Sequence, residues 1–301
     1  MKAYAPGIYP RSEELVRATR DLDRGRTSAE AVEEQRRVDV QALAAAQEEA
    51  GLDLLTDGLL GWQDLFRPLA ERSDGLSARP LTRFLDTNTF YRALLVEGEP
   101  RLREPMPAPE LPAGGWLGTL PAPFALAHAA RGEASPQAFA VGVLAPQIAA
   151  YAEAGCALVV LVDPFLARDG AIEEGIAALH ELPGGVPIAL HLPFGDAAGV
   201  LEALAEAPVS AVGIDFYATG LDAVPEGYPR EIAAGVVDAR SSVLEEPETL
   251  AEFVASLVRR NAAEVSLTTN GDLQFVPEPV AREKLLRLGR ARALLAEGVA
   301  V

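Results

Sequence analysis

Apolar residues in this 301-residue chain follow two alternating periods. Short, nearly continuous runs recur at Leu52 to Thr56, Trp116 to Leu120, Ala157 to Val162, Val186 to His191, Val209 to Asp215, Ala233 to Val237 and Val265 to Thr268. Between most of them lie longer stretches with apolar residues every three or four places. A run that is apolar on every position fits a strand covered on both faces, the situation in a parallel sheet flanked by helices. The pattern therefore predicts strands at these runs, and also at Lys2 to Tyr9 and Leu81 to Phe90. Nine candidates exceed the eight of a closed barrel. The run at Leu81 to Phe90 lies in a stretch rich in Pro, Arg and turn residues, which reads as an inserted hairpin or loop region around 67–112.

Helix signals are equally regular. Ser28 caps a helix that runs to Ala50, with apolar Val32, Val38, Leu43 and Ala46 and a stop at Gly51. Further helices are predicted over Pro136 to Ala154, Ala171 to Leu182, Ala197 to Ala207, Pro247 to Asn261 and Pro279 to Glu297. Three of these begin with a proline, whose missing donor costs nothing in a first turn. Strands alternating with helices make the economical architecture one α/β domain over residues 1–301, folded as a (β/α)8 TIM barrel. A doubly wound open sheet is the alternative. Neither a GxGxxG turn after a strand nor a GxxxxGK[ST] loop is present.

In such a barrel the reactive groups stand where strands end. The polar residues at those ends are Tyr9 with Arg11, Asp57, Asp163, His191, Asp215 with Tyr217, Asp238 with Arg240, and Asn270 with Asp272. Any one of the Asp or Asn residues could simply cap the next helix; together they form a ring around one pocket. His191 is the member suited to metal ligation, proton transfer or hydrogen bonding. His128 and His180 fall in helical segments and read as packing or surface residues.

Composition narrows the partners. The net charge of −18 excludes a polyanion such as nucleic acid or an anionic membrane surface, and no apolar run is long enough to span a bilayer. A single cysteine, Cys156, and the lack of a basic segment followed by an apolar one near the N-terminus point to the cytoplasm. The expected partner is a small-molecule ligand. The Pro-rich segment Pro100 to Pro112 and the acidic surface also leave a protein partner or a homo-oligomer open, with a solvated loop as the plainer reading.

Several segments carry a resemblance. Gly7-Ile8-Tyr9-Pro10-Arg11, Glu48 through Gly58 (ending Leu54-Leu55-Thr56-Asp57-Gly58), Tyr151-Ala152-Glu153-Ala154-Gly155, Asp163-Pro164, His191, Ile214-Asp215, Gly235-Val236-Val237-Asp238 and Asn270-Gly271-Asp272-Leu273 stand in the order and spacing of the catalytic barrel of cobalamin-independent methionine synthase. The chain resembles that family over nearly its whole length.

The resemblance implies a barrel enzyme that moves a methyl group to the thiol of homocysteine, activated by zinc on His, Cys, Glu and Cys ligands. Carried over, those ligands are His191, Pro193, Asp215 and Gly271, so both sulfur ligands are gone and the carboxylate is shorter. The family's polar anchors for the amino-acid end fall on Ile8, Leu59 and Val162, all apolar here. The zinc is therefore doubtful, with His191 and Asp215 the only remnant metal candidates, and the cofactor is unknown. Two readings follow. One is a diverged methyltransferase-family enzyme with an altered substrate, using His191, Asp215 and Asp163 for chemistry, with Tyr9, Arg11, Leu59, Tyr217, Asp238, Arg240, Asn270 and Asp272 at the substrate. The other is a non-catalytic barrel that binds a metabolite or a protein.

Overall fold

The structure, a computed structural model, describes residues 1–298 except 86, 88, 113 and 261–263; of Asp169 the backbone alone is described. In chain order the strands are β1 (Ser73–Arg83), β2 (Phe90–Leu102), β3 (Leu117–Pro121), β4 (Ala130–Arg131), β5 (Leu158–Val162), β6 (Ile188–Leu192), β7 (Ala211–Asp215), β8 (Glu231–Val237) and β9 (Val265–Thr269). Strands β3, β5, β6, β7, β8 and β9 form one six-stranded sheet in that order, parallel throughout. Every residue of β3, β5, β6, β7 and β9 is buried, which explains why the runs of β3, β5, β6 and β7 are largely apolar on both faces, while β9 also buries Ser266, Thr268 and Thr269.

Two further segments flank this sheet. Ala3 bridges Leu267 of β9, Leu55 bridges Trp116 just before β3, and the Asp53 N–H donates to the Ala3 carbonyl at 2.9 Å. The strands predicted at Lys2 to Tyr9 and Leu52 to Thr56 thus shrink to single bridges. Pro6 offers no donor and Gly7 turns out of the extended region at φ 90°, so the first segment stops pairing after Tyr4. Leu81 to Phe90 is not one strand either. Leu81–Arg83 end β1 and Phe90 starts β2 in an antiparallel hairpin, with the Thr87 N–H donating to the Phe84 carbonyl at 3.1 Å between them; residues 86 and 88 of this stretch lie outside the described residues.

Helices cover the sheet. Ser28 Oγ caps Ala29–Ala50 and Gly51, at φ 70°, ends it. Its inward face carries Val40, Leu43 and Gln47, so Val38 points outward and is 49% exposed, contrary to the predicted face. The stretch from Pro136 is one helical rod in three parts, Pro136–Phe139, a π-helical turn at Ala140–Leu144, and Ala145–Glu153. Ala197 to Ala207 yields only the single turn Leu201–Leu204. Helices Pro247–Arg260 and Glu278–Ala296 complete the layer, and Glu13–Asp23 is one that the apolar pattern did not predict. Asn261 lies outside the described residues. Lys284, on the last helix and wholly buried, donates to both Glu245 carboxylate oxygens at 2.9 Å and ties that helix to the loop after β8.

Candidate functional site

At the carboxyl ends of β6, β7 and β9 a carboxylate organises three loops. Asp215 is almost wholly buried; its Oδ1 accepts from the Tyr217 N–H at 2.9 Å and from Asn270 Nδ2 at 3.0 Å, while Oδ2 accepts from the Phe194 N–H at 3.1 Å. Burial pushes its carboxyl above the ordinary range, and these donors with nearby Arg240 pull it back. Asn270 accepts from the Ala239 N–H at 2.8 Å and reaches Asp238 Oδ1 at 3.4 Å; Asp238 in turn accepts from the Arg240 N–H at 3.0 Å. Tyr217, half-exposed, donates to the Val236 carbonyl and to Glu245. Asp215, Tyr217, Asp238, Arg240 and Asn270 are thus brought together. Phe194 is held at φ 66°, a costly conformation for a bulky residue, with the Arg240 guanidinium 5.0 Å from its ring centre.

His191 lies deeper. Its Nε2 is 3.1 Å from the Tyr4 hydroxyl, and its ring covers Gly213, where any Cβ would stand 2.5 Å from Cδ2. Desolvation pushes the imidazole down to about 3, so it is neutral at physiological pH. Asp163 is also buried, and its Oδ1 accepts from the Phe165 and Leu166 N–H groups at 3.1 and 2.9 Å, fixing the start of the helical turn after β5.

Asp272 stands apart from this network. Gln274 Nε2 donates to its Oδ2 at 3.0 Å, and its Oδ1 fills the space a side chain at Gly7 would need, 1.9 Å from the ideal Cβ. Burial pushes its carboxyl up to about 6. The apolar Ile8, Val162 and Phe194 border the same void as Asp272.

The remaining predicted residues stand elsewhere. Tyr9 hydrogen-bonds Glu278 at 3.5 Å, and Arg11 donates to the Trp62 carbonyl. Asp57 accepts from the Leu59 N–H at 3.0 Å, and both line a separate cavity.

Aromatic residues from the hairpin tip close the site. The Phe84 ring centre lies 6.1 Å from those of Tyr91 and Phe194 and 6.4 Å from that of Phe165, and Phe275 meets Phe194 at 5.5 Å. Beneath them remain a void of about 10 Å³ touching His191, Asp215, Thr268 and Asp272, and one of about 30 Å³ between Phe84, Tyr91, Phe194 and Asp272. The first has room for one water, beside the buried Thr268 hydroxyl that lacks a hydrogen-bond partner among the described residues. Tyr4 and Phe84 carried no local signal in the sequence, because each reaches the site from a distant segment, and Thr268 is hidden inside the run that precedes Asn270.

These residues do not fit a zinc ion. The Tyr4 hydroxyl takes His191 Nε2, both Asp215 oxygens accept hydrogen bonds, and Pro193 and Gly271 offer no side-chain donor atom. The Phe194 ring packs 3.1 Å from where a Cβ at position 271 would be. Among the described residues no group of three or more His, Cys, Asp or Glu could hold a metal, and no helix is long and apolar enough to cross a membrane.

No family model matches the chain. It is 24% identical over 310 residues to a protein from Sulfurisphaera tokodaii named methionine synthase, covering 97% of this chain and 91% of that one. It is 29% identical over 327 residues to a 5-methyltetrahydropteroyltriglutamate–homocysteine methyltransferase from Mycobacterium bovis, covering 91% of this chain and 42% of the relative. Among solved structures, a B12-independent methionine synthase from Shewanella sp. W3-18-1, in complex with selenomethionine, superposes with a TM-score of 0.81 at 14% identity, covering 99% and 98% of the two chains.

Proposed function

We propose that this chain, a diverged relative of the cobalamin-independent methionine synthases, acts on a small molecule without zinc-dependent thiol methylation, and that Asp272, not His191, is its proton-carrying group. The scaffold in this reading is a single-domain closed (β/α)8 barrel. What supports closure is the pair of bridges at Ala3 and Leu55, one at each edge of the six-stranded sheet, and the Asp53–Ala3 hydrogen bond between the two segments.

The observation that carries the reading is the Asp272 carboxyl. It is buried, raised to about 6 and bordered by apolar side chains, so it can hold or release a proton near neutral pH, where an ordinary Asp is always ionised. His191 is neutral and bonded to Tyr4, and Asp215 and Asp163 hold loop backbones; their part is to position Phe194 and the turns around the pocket. In this reading Arg240, whose guanidinium lies 5.0 Å from the Phe194 ring centre, takes a polar end of the ligand together with Tyr217 and Asp238. The ligand enters when the hairpin tip lifts from Phe194, since the present voids hold no more than a water or two.

The test compares the wild type with Asp272→Asn, both shown to be folded by circular dichroism, incubated with a total metabolite extract and analysed by mass spectrometry. One metabolite should fall and one should rise with the wild type alone. A second assay supplies homocysteine, a methyl-folate and zinc, and no methionine should form. Methionine production, or identical profiles for both proteins, would overturn the reading. Identical profiles accompanied by a co-purifying ligand would favour the non-catalytic alternative, which the closed voids and the structural use of Asp215 support.

A further inference from the structure

A separate cavity lies away from this site. It holds about 770 Å³, within the usual range for small-molecule pockets, and shares no lining residue with the voids at His191 and Asp272. It opens where the segment after Leu55 parts from β3. Between Leu55 and Trp116 the chain makes the short helix Arg67–Glu71, the hairpin and a Pro-rich strap. Helix Ala29–Ala50 contributes Arg36, helix Ala145–Glu153 contributes Tyr151, and the strap contributes Met106 and Glu110.

The charges around it do not balance. Arg36 is bound by Glu33 through two hydrogen bonds, and its guanidinium also faces Asp57 and Glu110, three carboxylates for one cation. Arg103 is engaged by the Glu71 carbonyl and by Asp74 at 3.6 Å, and Arg72 by Glu104 at 3.6 Å. Asp57 receives the Leu59 N–H, and no cationic side chain lies within ion-pair distance of it among the described residues. Burial raises its carboxyl, and the Leu59 N–H and the shared charge of Arg36 draw it only part of the way back.

The rest of the wall is apolar and flat. Trp62, Trp116, Leu59, Met106 and Tyr151 line it, with the Trp116 and Tyr151 rings edge to face at 5.3 Å. Aromatic faces beside an undercompensated carboxylate attract positive charge on a hydrophobic body.

We propose that this side cavity binds an organic cation, a flat or apolar molecule bearing an ammonium, amidinium or guanidinium group, with Asp57 as counter-charge and Trp62 and Trp116 as walls. The proposal is independent of the reading of Asp272.

The protein has two tryptophans and both line this cavity, so tryptophan emission reports on it directly. The probe is benzamidine, titrated with excitation at the red edge of tryptophan absorption, with neutral benzamide and anionic benzoate as shape-matched controls. Benzamidine should change the emission saturably and bind at least about tenfold more tightly than either control, the scale of one buried charge interaction. Asp57→Asn keeps an acceptor for the Leu59 N–H and should weaken benzamidine about tenfold while leaving benzamide unchanged. Ala108→Trp, which puts an indole into the cavity from the strap, should weaken benzamidine at least about tenfold by equilibrium dialysis. Equal binding of the three probes, an affinity unchanged in Asp57→Asn, or no saturable signal from folded wild-type protein would each overturn the proposal.

Discussion

Replacing His191 with Gln isolates what a buried neutral imidazole does to stability. The unfolded chain binds a proton as pH falls through about 6.5, whereas the folded chain refuses it until about 3, so the wild type loses stability between those values, at up to about 1.4 kcal/mol per pH unit. His191→Gln forfeits the Tyr4 hydrogen bond and the packing on Gly213, about 1–2 kcal/mol at pH 7, but escapes the acid loss. The stability gap between the two proteins should therefore close by about pH 5, read from urea midpoints at both pH values. A constant gap would mean that the imidazole is charged in the folded state. Asp272 works with the opposite sign: its raised carboxyl favours the protonated form, so its contribution improves as pH falls from about 6 toward 4. It is present in both proteins and cancels in the comparison. At this scale the sequence marks His191 as a strand-end residue, yet hides its state. The partner that occupies Nε2 lies 187 positions away, and no local pattern records such a contact.

Among the elements, the helical rod from Pro136 to Glu153 shows where periodicity stops being informative. Its extent was legible from Pro136 and Gly155, but not its π-helical turn, which places Gly142 against β2. A Cβ at Gly142 would stand 1.9 Å from the Pro100 carbonyl oxygen, a backbone atom with little freedom to move. Helix propensity alone would reward Gly142→Ala by up to about 1 kcal/mol, while steric overlap of this kind costs about 1–3 kcal/mol, so the overlap wins. Thermal unfolding should show a lower midpoint for Gly142→Ala, and an increase would show that the rod shifts freely against the hairpin. The parallel strands were legible because burial on both faces leaves continuous apolar runs. Helix Glu13–Asp23 was not, because its apolar residues are only Leu15, Val16, Ala18 and Leu22 among charged ones, and Leu15 alone is buried. The polar ring at the strand ends was also legible, as those residues follow the runs directly. That Tyr9 and Arg11 bond Glu278 and the Trp62 carbonyl was not, since side-chain direction in a loop is set by its neighbours in space.

For the whole molecule, a net charge of −18 means that folding concentrates like charges and costs stability. Raising sodium chloride from about 0.05 to 0.5 M shortens the screening length severalfold and should lift the melting temperature by about 2–5 °C at pH 8. A fall would show that the salt bridges at the surface outweigh the repulsion. The fold as a whole also treats its longest excursion in a particular way. Leu55 and Trp116 face each other across one bridge, so residues 56–115 leave the sheet and return to it at adjoining points. That stretch carries the hairpin tip that covers Asp272 and most of the cavity wall around Asp57, Trp62 and Met106. Because its two ends meet at one bridge, a change in its length need not disturb the pairing of the sheet, so the cover over the voids and the strands that make the protein fold are carried by separate stretches of the chain.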